Sequence, residues 1–269
     1  MQRLPAVAGQ FYPDHSGSLR ETVTDMLSSP QEKRSAIGLV VPHAGYPYSG
    51  GIAGQTFARV LIPPRVVMIG PNHHGYGHPG AVYASGTWVS PLGTTLIDSI
   101  LAKSILDGCS ALASDETAHR HEHSLEVLLP FIQVLAPETS IVPICLGRLS
   151  LEDLLALGES LGKVLAASGE EVLLVASSDM THYESGDVAR EKDMLALQRL
   201  LELDPAGLYR TVAAQKITMC GVIPVTVMLA AARQLGARRA TLVKYGNSGD
   251  VTGDQSQVVG YAGVILERG

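Results

Sequence analysis

The sequence predicts an α/β fold of three layers, α/β/α, with helices on both faces of a mostly parallel central sheet. Two patterns carry this expectation. Short apolar runs rich in Val and Ile, without polar alternation, recur along the chain, as strands covered on both faces do. Stretches of helical periodicity lie between them. The length of 269 residues, 46% of them hydrophobic and 17% charged, suits one domain spanning 1–269. A chain this long buries enough apolar surface to need no disulfide staples.

Taken in order, residues 17–27 read as an amphipathic helix, and the polar loop 28–35 closes this N-terminal segment. Residues 36–41 form an apolar run closed by Pro42, hence a strand, followed by a helix over 51–60. A second strand, 65–69, ends in Gly70-Pro71. Residues 83–96 carry turn signals at Ser85-Gly86 and Pro91-Leu92-Gly93 and read as an antiparallel excursion. Helices are expected over 97–106 and 123–135, a strand over 141–146, a helix over 150–167 and a strand over 172–176. Helices over 187–202 and 221–235 and strands over 242–245 and 258–266 complete the pattern.

Composition excludes several classes. Disorder needs low hydrophobicity and high charge, and neither collagen-like nor heptad periodicity is present. With 20 Lys and Arg against 26 Asp and Glu, the formal charge is −6, so the basic footprint of a nucleic-acid binder is missing. No apolar stretch approaches the ~20 residues that span a bilayer, and the start, Met1-Gln2-Arg3-Leu4-Pro5, shows no signal-peptide core. Three cysteines, Cys109, Cys145 and Cys220, form no disulfide framework. They point to a reducing, cytoplasmic location, with thiols free or metal-bound.

The histidines gather where strands end. His43 follows the strand over 36–41, His73 and His74 follow the strand over 65–69, and His182 closes Ser177-Ser178-Asp179-Met180-Thr181-His182. Ligands of open α/β sheets bind beyond the C-terminal strand ends, so three strands deliver imidazole to one edge and convergence on one site is expected. Gly45, Gly50 and Gly51 permit a tight turn after His43, as an ordinary strand-to-helix loop also would, and Ser49 is placed to cap the next helix. Of His73 and His74, one is expected to face the cavity.

The densest polar run, 115–126, reads as a solvated loop at His119 and His121. His123 and Glu126 stand three apart at the start of an apolar helix and so share a face that looks toward the site. Cys220 precedes the helix over 221–235, where backbone N–H groups stabilise a thiolate; a buried structural cysteine fits the spacing equally. A zinc protease is excluded by the lack of His-Glu-x-x-His. A serine hydrolase is disfavoured because no Gly-x-Ser-x-Gly elbow is read in the sequence. A dinucleotide cofactor is disfavoured because no Gly-x-Gly-x-x-Gly is read after a strand.

Ala8-Gly9-Gln10-Phe11-Tyr12-Pro13, Pro42-His43-Ala44-Gly45-Tyr46, Gly70-Pro71-Asn72-His73-His74, Glu122-His123-Ser124-Leu125-Glu126, Ser177-Ser178-Asp179 through His182, and Cys220-Gly221 together resemble the Memo family. Its prokaryotic members are named AmmeMemoRadiSam system protein B. The resemblance implies the fold of the class III extradiol dioxygenase catalytic subunit, an α/β protein that holds Fe(II) beside an acid/base histidine. It also implies metal binding by His43, His73 and Cys220, the thiolate replacing the dioxygenase carboxylate. It assigns His182 as the catalytic histidine and His123 as a second active-site histidine, with Asp179 beside His182 in the same motif to orient His182 or a metal ligand.

The activity so implied is that of a non-haem, iron-dependent, dioxygenase-like oxidoreductase acting on a small substrate, with Fe(II) favoured and Zn or Cu admissible. The alternatives are a non-catalytic metal- or peptide-binding protein, as eukaryotic members that bind phosphotyrosine peptides imply, and a metal-dependent hydrolase. Phe11, Tyr12, Tyr46 and Tyr48 would suit a ring or peptide. The family label implies pathway association with AMMECR-type and radical SAM proteins, although this chain has no Cys-x-x-x-Cys-x-x-Cys of its own. Two imidazoles and a thiolate leave metal positions open, as in catalytic sites. They favour soft or borderline metals, and the thiolate is itself open to oxidation.

Overall fold

Apolar runs become strands here because helices on both sides take up their side chains. The computed structural model describes residues 1–28 and 32–269, so the middle of the expected 28–35 loop lies outside the described residues. The first elements are β1 (Gln2–Arg3), α1 (Ser16–Met26) and β2 (Gly38–Val41). A π-helical turn (Tyr46–Gly50) then runs into α2 (Gly51–Phe57). Next come β3 (Arg65–Pro71), β4 (Gly80–Val82), β5 (Thr87–Ser90), β6 (Gly93–Leu96), α3 (Ser99–Gly108) and β7 (Ala113–Ser114). A 3-10 turn (Glu126–Leu128) leads into α4 (Leu129–Leu135), followed by β8 (Ser140–Leu146), α5 (Leu151–Ala167), β9 (Val172–Ser177) and β10 (His182–Glu184). The chain closes with α6 (Gly186–Leu201), α7 (Pro205–Ala214), α8 (Val222–Gln234), β11 (Ala237–Asn247), α9 (Gly249–Thr252) and β12 (Val258–Arg268).

The main sheet runs β10-β12-β2-β9-β3-β8-β4-β7, with β11 also paired to β12. Its centre, β2-β9-β3-β8, is parallel, and antiparallel β12 and β4 flank it. Side chains alternate across β3: Val67 and Ile69 join one core, Val66 and Met68 the other. Leu154, Leu161, Val227 and Met228 of α5 and α8 cover the first face; Leu19, Ala53, Phe57 and Phe131 of α1, α2 and α4 cover the second. The three expected layers are thus present, and each fully buried Val or Leu contributes about 1.5–3 kcal/mol through removal from water.

The expected excursion over 83–96 is the hairpin β5-β6, which joins β1 in a separate three-stranded sheet. Helix α7 was not expected; its signal is Asp204, whose carboxylate accepts the Gly207 N–H at 2.9 Å, followed by Pro205. Strand β11 extends far beyond the expected 242–245 because β12 gives it a partner along its length. No helix among the described residues is long and apolar enough to cross a membrane.

Two spacings read as absent, Gly-x-Ser-x-Gly and Gly-x-Gly-x-x-Gly, do occur in the sequence, and the fold shows why neither carries its usual chemistry. Gly158-Glu159-Ser160-Leu161-Gly162 has nucleophile-elbow spacing but lies inside α5. A Cβ at Gly158 would stand 2.5 Å from that of Ala230, so these glycines serve the close packing of α5 on α8. Gly75-Tyr76-Gly77-His78-Pro79-Gly80 has dinucleotide-fingerprint spacing but leads into strand β4 instead of a helix.

Candidate metal centre

Strands β2, β9 and β3 are parallel neighbours, with Val41 opposite Ser177 and Ile69 opposite Ala176, so their C-terminal ends come level. His43 and His73 leave β2 and β3 there, and the 120–125 segment brings His123 in from above. The ring centroids are 5.3 Å apart for His43 and His73, 5.5 Å for His43 and His123, and 4.8 Å for His73 and His123. One donor atom from each ring lies within 4.8 Å of the others, so these three imidazoles could hold a metal ion. His43 is buried, whereas His73 faces a cleft of about 600 Å³ that Asn72, His74, Pro79 and Arg148 also line.

Glu122, buried directly behind the rings, organises two of them. Its carboxylate accepts the His73 N–H at 2.7 Å and the Ser124 N–H at 2.9 Å, and lies 2.8 Å from His73 Nδ1 and 3.5 Å from His123 Nδ1. Burial alone would raise its pKa. The hydrogen bond and charge of His73 and the amides of Ser124 and His73 outweigh that, and the carboxyl stays below the usual range. Burial, then the charges of His123 and His73, hold His43 well below its ordinary value, and burial takes His123 down to about 4. The lowered values of His43 and His123 and the carboxylate behind His73 and His123 fit a metal ion, because a ligating histidine must be unprotonated and is oriented by such a partner.

Cys220 approaches from the other side. Its Sγ lies 3.2 Å from His43 Nε2 and accepts the Asp179 N–H at 3.2 Å. Gly221 makes this approach possible, since a Cβ there would fall 2.3 Å from both the Ser177 carbonyl oxygen and Ser178 Cβ. Cys220 is not among the three residues whose donors lie within 4.8 Å of one another. The expectation of a helix-stabilised thiolate is not met: α8 begins only at Val222, and burial with the Asp179 charge pushes the thiol up.

Asp179 accepts the His43 N–H at 2.8 Å, and burial raises its carboxyl to about 7. It therefore holds the backbone of His43. His182 starts β10 half-buried; its N–H donates to Thr218 Oγ1 at 2.7 Å and its Nδ1 lies 3.0 Å from the Thr218 carbonyl oxygen. Burial lowers its pKa, leaving the ring neutral near pH 7.

Three expectations about neighbouring residues are corrected. Glu126 does not share a site face with His123, because His123 precedes the 3-10 turn that Glu126 begins. Its buried carboxylate instead accepts the N–H groups of Ala6 and Val7 and the Tyr12 hydroxyl and pairs with Arg3 at 2.8 Å. His119 is not solvated but 1% exposed. Ser49 does not cap α2; its hydroxyl donates to the Ala44 carbonyl at 3.0 Å. Of the aromatics, Phe11 lies 4.7 Å from the His123 ring and Tyr48 is exposed, whereas Tyr12 and Tyr46 are buried. His74 lines the same cleft as His73, so the two do not divide between cavity and exterior as expected; its Nε2 lies 3.0 Å from the His121 carbonyl oxygen. Sequence reasoning missed Glu122, Ser177 and Arg3 as parts of the site.

Fold and site together define a three-layer α/β protein with a histidine cluster, able to hold a metal ion, at the C-terminal edge of its sheet. The chain belongs to the Memo family: residues 3–265 match the family described as Memo-like protein. It is similar to a MEMO1 family protein of Methanosarcina acetivorans, 42% identical over 98% of this chain and 99% of that one. It is likewise similar to a MEMO1 family protein of Aquifex aeolicus, 44% identical over 98% of each chain. The solved structure of the uncharacterized protein JW3007 from Escherichia coli aligns with a TM-score of 0.57 over 86% of this chain and 100% of its own. At 14% identity, that likeness bears on the fold alone.

Proposed function

We propose that this chain, working as one domain over 1–269, is a metal-dependent, dioxygenase-like oxidoreductase acting on a small substrate, with Fe(II) the favoured metal and Zn or Cu admissible. The observation that carries the reading is the meeting of His43, His73 and His123 at one sheet edge, with Glu122 behind two of the rings and an open cleft in front. His43 and His73 would hold the ion, with His123 or the thiolate of Cys220 as the third donor. Bound there, a redox-active metal would supply Lewis acidity and electron transfer.

The chain's own residues then have separable tasks. His182 presents Nδ1 to a carbonyl, which can only accept, so Nδ1 carries the hydrogen and Nε2 is free to take a proton from substrate. Asp179 fixes the backbone of His43. His123, packed on Phe11, is placed to hydrogen-bond a ligand in the cleft. Three free cysteines support a reducing, cytoplasmic setting, where AMMECR-type and radical SAM proteins would be pathway associates.

The test is metal analysis of the purified protein and of its His43→Ala, His73→Ala, His123→Ala and Cys220→Ala variants, followed by oxygen uptake with catechols after anaerobic Fe(II) loading. Loss of metal in the histidine variants and substrate-dependent uptake are expected; undiminished metal in all four variants would end the reading. A binding protein without turnover is the second reading. It is favoured by the cavity of about 460 Å³ that Phe11, Pro13, Met26 and Pro47 help line beside the centre. Peptide binding without any oxygen uptake would select it.

A further inference from the structure

We infer that Ser177 is a positioning residue that fixes which nitrogen of His43 carries its hydrogen and so leaves the Nε2 lone pair facing the centre. Ser177 is the last residue of β9 and is fully buried, so no water substitutes for its partners. Its hydroxyl has one hydrogen to give. That hydrogen goes to the Ser124 carbonyl oxygen, 2.7 Å away, because a carbonyl can only accept. The same Oγ stands 2.5 Å from His43 Nδ1 with only lone pairs left to offer. Two lone pairs at that separation repel, so Nδ1 must carry the hydrogen. A neutral imidazole has one N–H, and Nε2 is therefore bare.

The neighbouring hydroxyl provides a comparison. Ser178 donates to the Asp179 carbonyl at 2.8 Å, accepts the Gly221 N–H at 3.1 Å and lies within reach of the Cys220 thiol, but it does not touch the His43 ring nitrogens. His73 likewise carries a hydrogen on Nδ1, since the Glu122 carboxylate there can only accept. Both rings thus hold a hydrogen at Nδ1, one against a charged carboxylate and the buried one against a neutral hydroxyl relay. Without Ser177 the remaining polar neighbour of the His43 ring is Cys220, 3.2 Å from Nε2, toward which an N–H would then point.

The tautomer can be read directly by long-range proton–nitrogen correlation NMR on the metal-free, histidine-labelled protein at pH 8, where the His43 ring is neutral. The expected result is a protonated Nδ1 and bare Nε2 for His43, with Ser177→Ala moving its hydrogen toward Nε2 and Ser177→Thr, which keeps the hydroxyl, restoring the original pattern. Zn(II) affinity, measured against a chromophoric chelator, is expected to fall about 10- to 100-fold in Ser177→Ala. This second arm rests on the metal reading proposed above. A wild-type His43 protonated at Nε2, or a Ser177→Ala spectrum still showing hydrogen at Nδ1, overturns the inference. The wild-type spectrum decides even if Ser177→Ala fails to fold. A tautomer that moves as expected in a protein that does not bind Zn(II) would sink the metal reading and leave the role of Ser177 standing.

Discussion

His119 should make the protein acid-labile, by an amount the structure allows to be worked out. Its ring lies edge-on to Tyr83 and Trp88, with centroids at 5.7 and 5.8 Å, and its Nε2 is 3.2 Å from the Ala81 carbonyl oxygen. Burial lowers its pKa to about 4; the Ala81 carbonyl works against this and the Arg3 charge with it. The unfolded chain therefore takes up a proton near pH 6.5 that the native ring refuses until about pH 4. Because the unfolded state binds more protons across that window, the contribution is complete above pH 6.5 and is lost progressively as pH falls toward 4. At pH 5 the loss comes to about 2 kcal/mol.

His119→Gln removes the titration and keeps an amide donor for the Ala81 carbonyl. Urea unfolding followed by the fluorescence of Trp88, the only tryptophan, at pH 7.5 and pH 5.0 with chelator present, compares the two proteins. The site histidines contribute equally to both and cancel in the difference. Wild type should lose about 2 kcal/mol more than the variant between the two pH values. Equal losses would show that the ring is not held neutral by its burial, and the reasoning would fail.

Two further outcomes follow from local geometry. Tyr183 is 75% exposed with φ 61°, at the register shift where β10 meets β12 beside His182; the left-handed conformation costs a side-chain-bearing residue about 1–2 kcal/mol. Tyr183→Gly should therefore raise stability by about 0.5–1 kcal/mol after the extra chain entropy of glycine is counted, and a lower urea midpoint would refute the strain. Gly221→Ala places a Cβ 2.3 Å from Ser178 Cβ and the Ser177 carbonyl oxygen, and should cost about 2–3 kcal/mol by overpacking. Unchanged stability by the same urea assay would mean that the 220–221 segment is not tightly seated on β9.

The sheet was legible because strands covered on both faces must be apolar throughout, and the runs at Leu39, Val67, Ile144 and Leu174 are. Most helices were legible from periodicity. The strands β1, β4, β7 and β10 were not, since two or three residues carry no pattern and exist only where a partner lies alongside. His43 and His73 were legible from their places after strands. His123 was expected at the site from the family resemblance and from a helix face shared with Glu126; the second ground fails, because His123 precedes the turn that Glu126 begins. In the polar run 115–126, His119, Glu122 and Glu126 are buried while Arg120 and His121 are exposed. What buries them is Arg3, over a hundred residues away. Its guanidinium donates to the carbonyls of His119 and Glu122, pairs with Glu126 and lies 4.3 Å from the Trp88 ring centroid. Composition of the run alone cannot reveal a partner so distant in sequence.

The third donor beside His43 and His73 decides what binding costs the protein. His123 is already neutral, so coordination through it displaces no proton. Cys220 is held as a thiol by its burial and by the Asp179 charge, so coordination through it must release one. Asp179, which accepts the His43 N–H and is itself raised to about 7 by burial, sits where a nearby dication would favour its charged form. A soft metal that draws in the sulfur would thus release the Cys220 proton, whereas a metal content with three imidazoles would leave the thiol intact; either ion would favour the charged form of Asp179. Through Asp179, which takes the His43 N–H on its carboxylate and gives its own N–H to Cys220 Sγ, the same few atoms hold both arrangements ready. Metal choice and proton inventory at this centre are therefore one question.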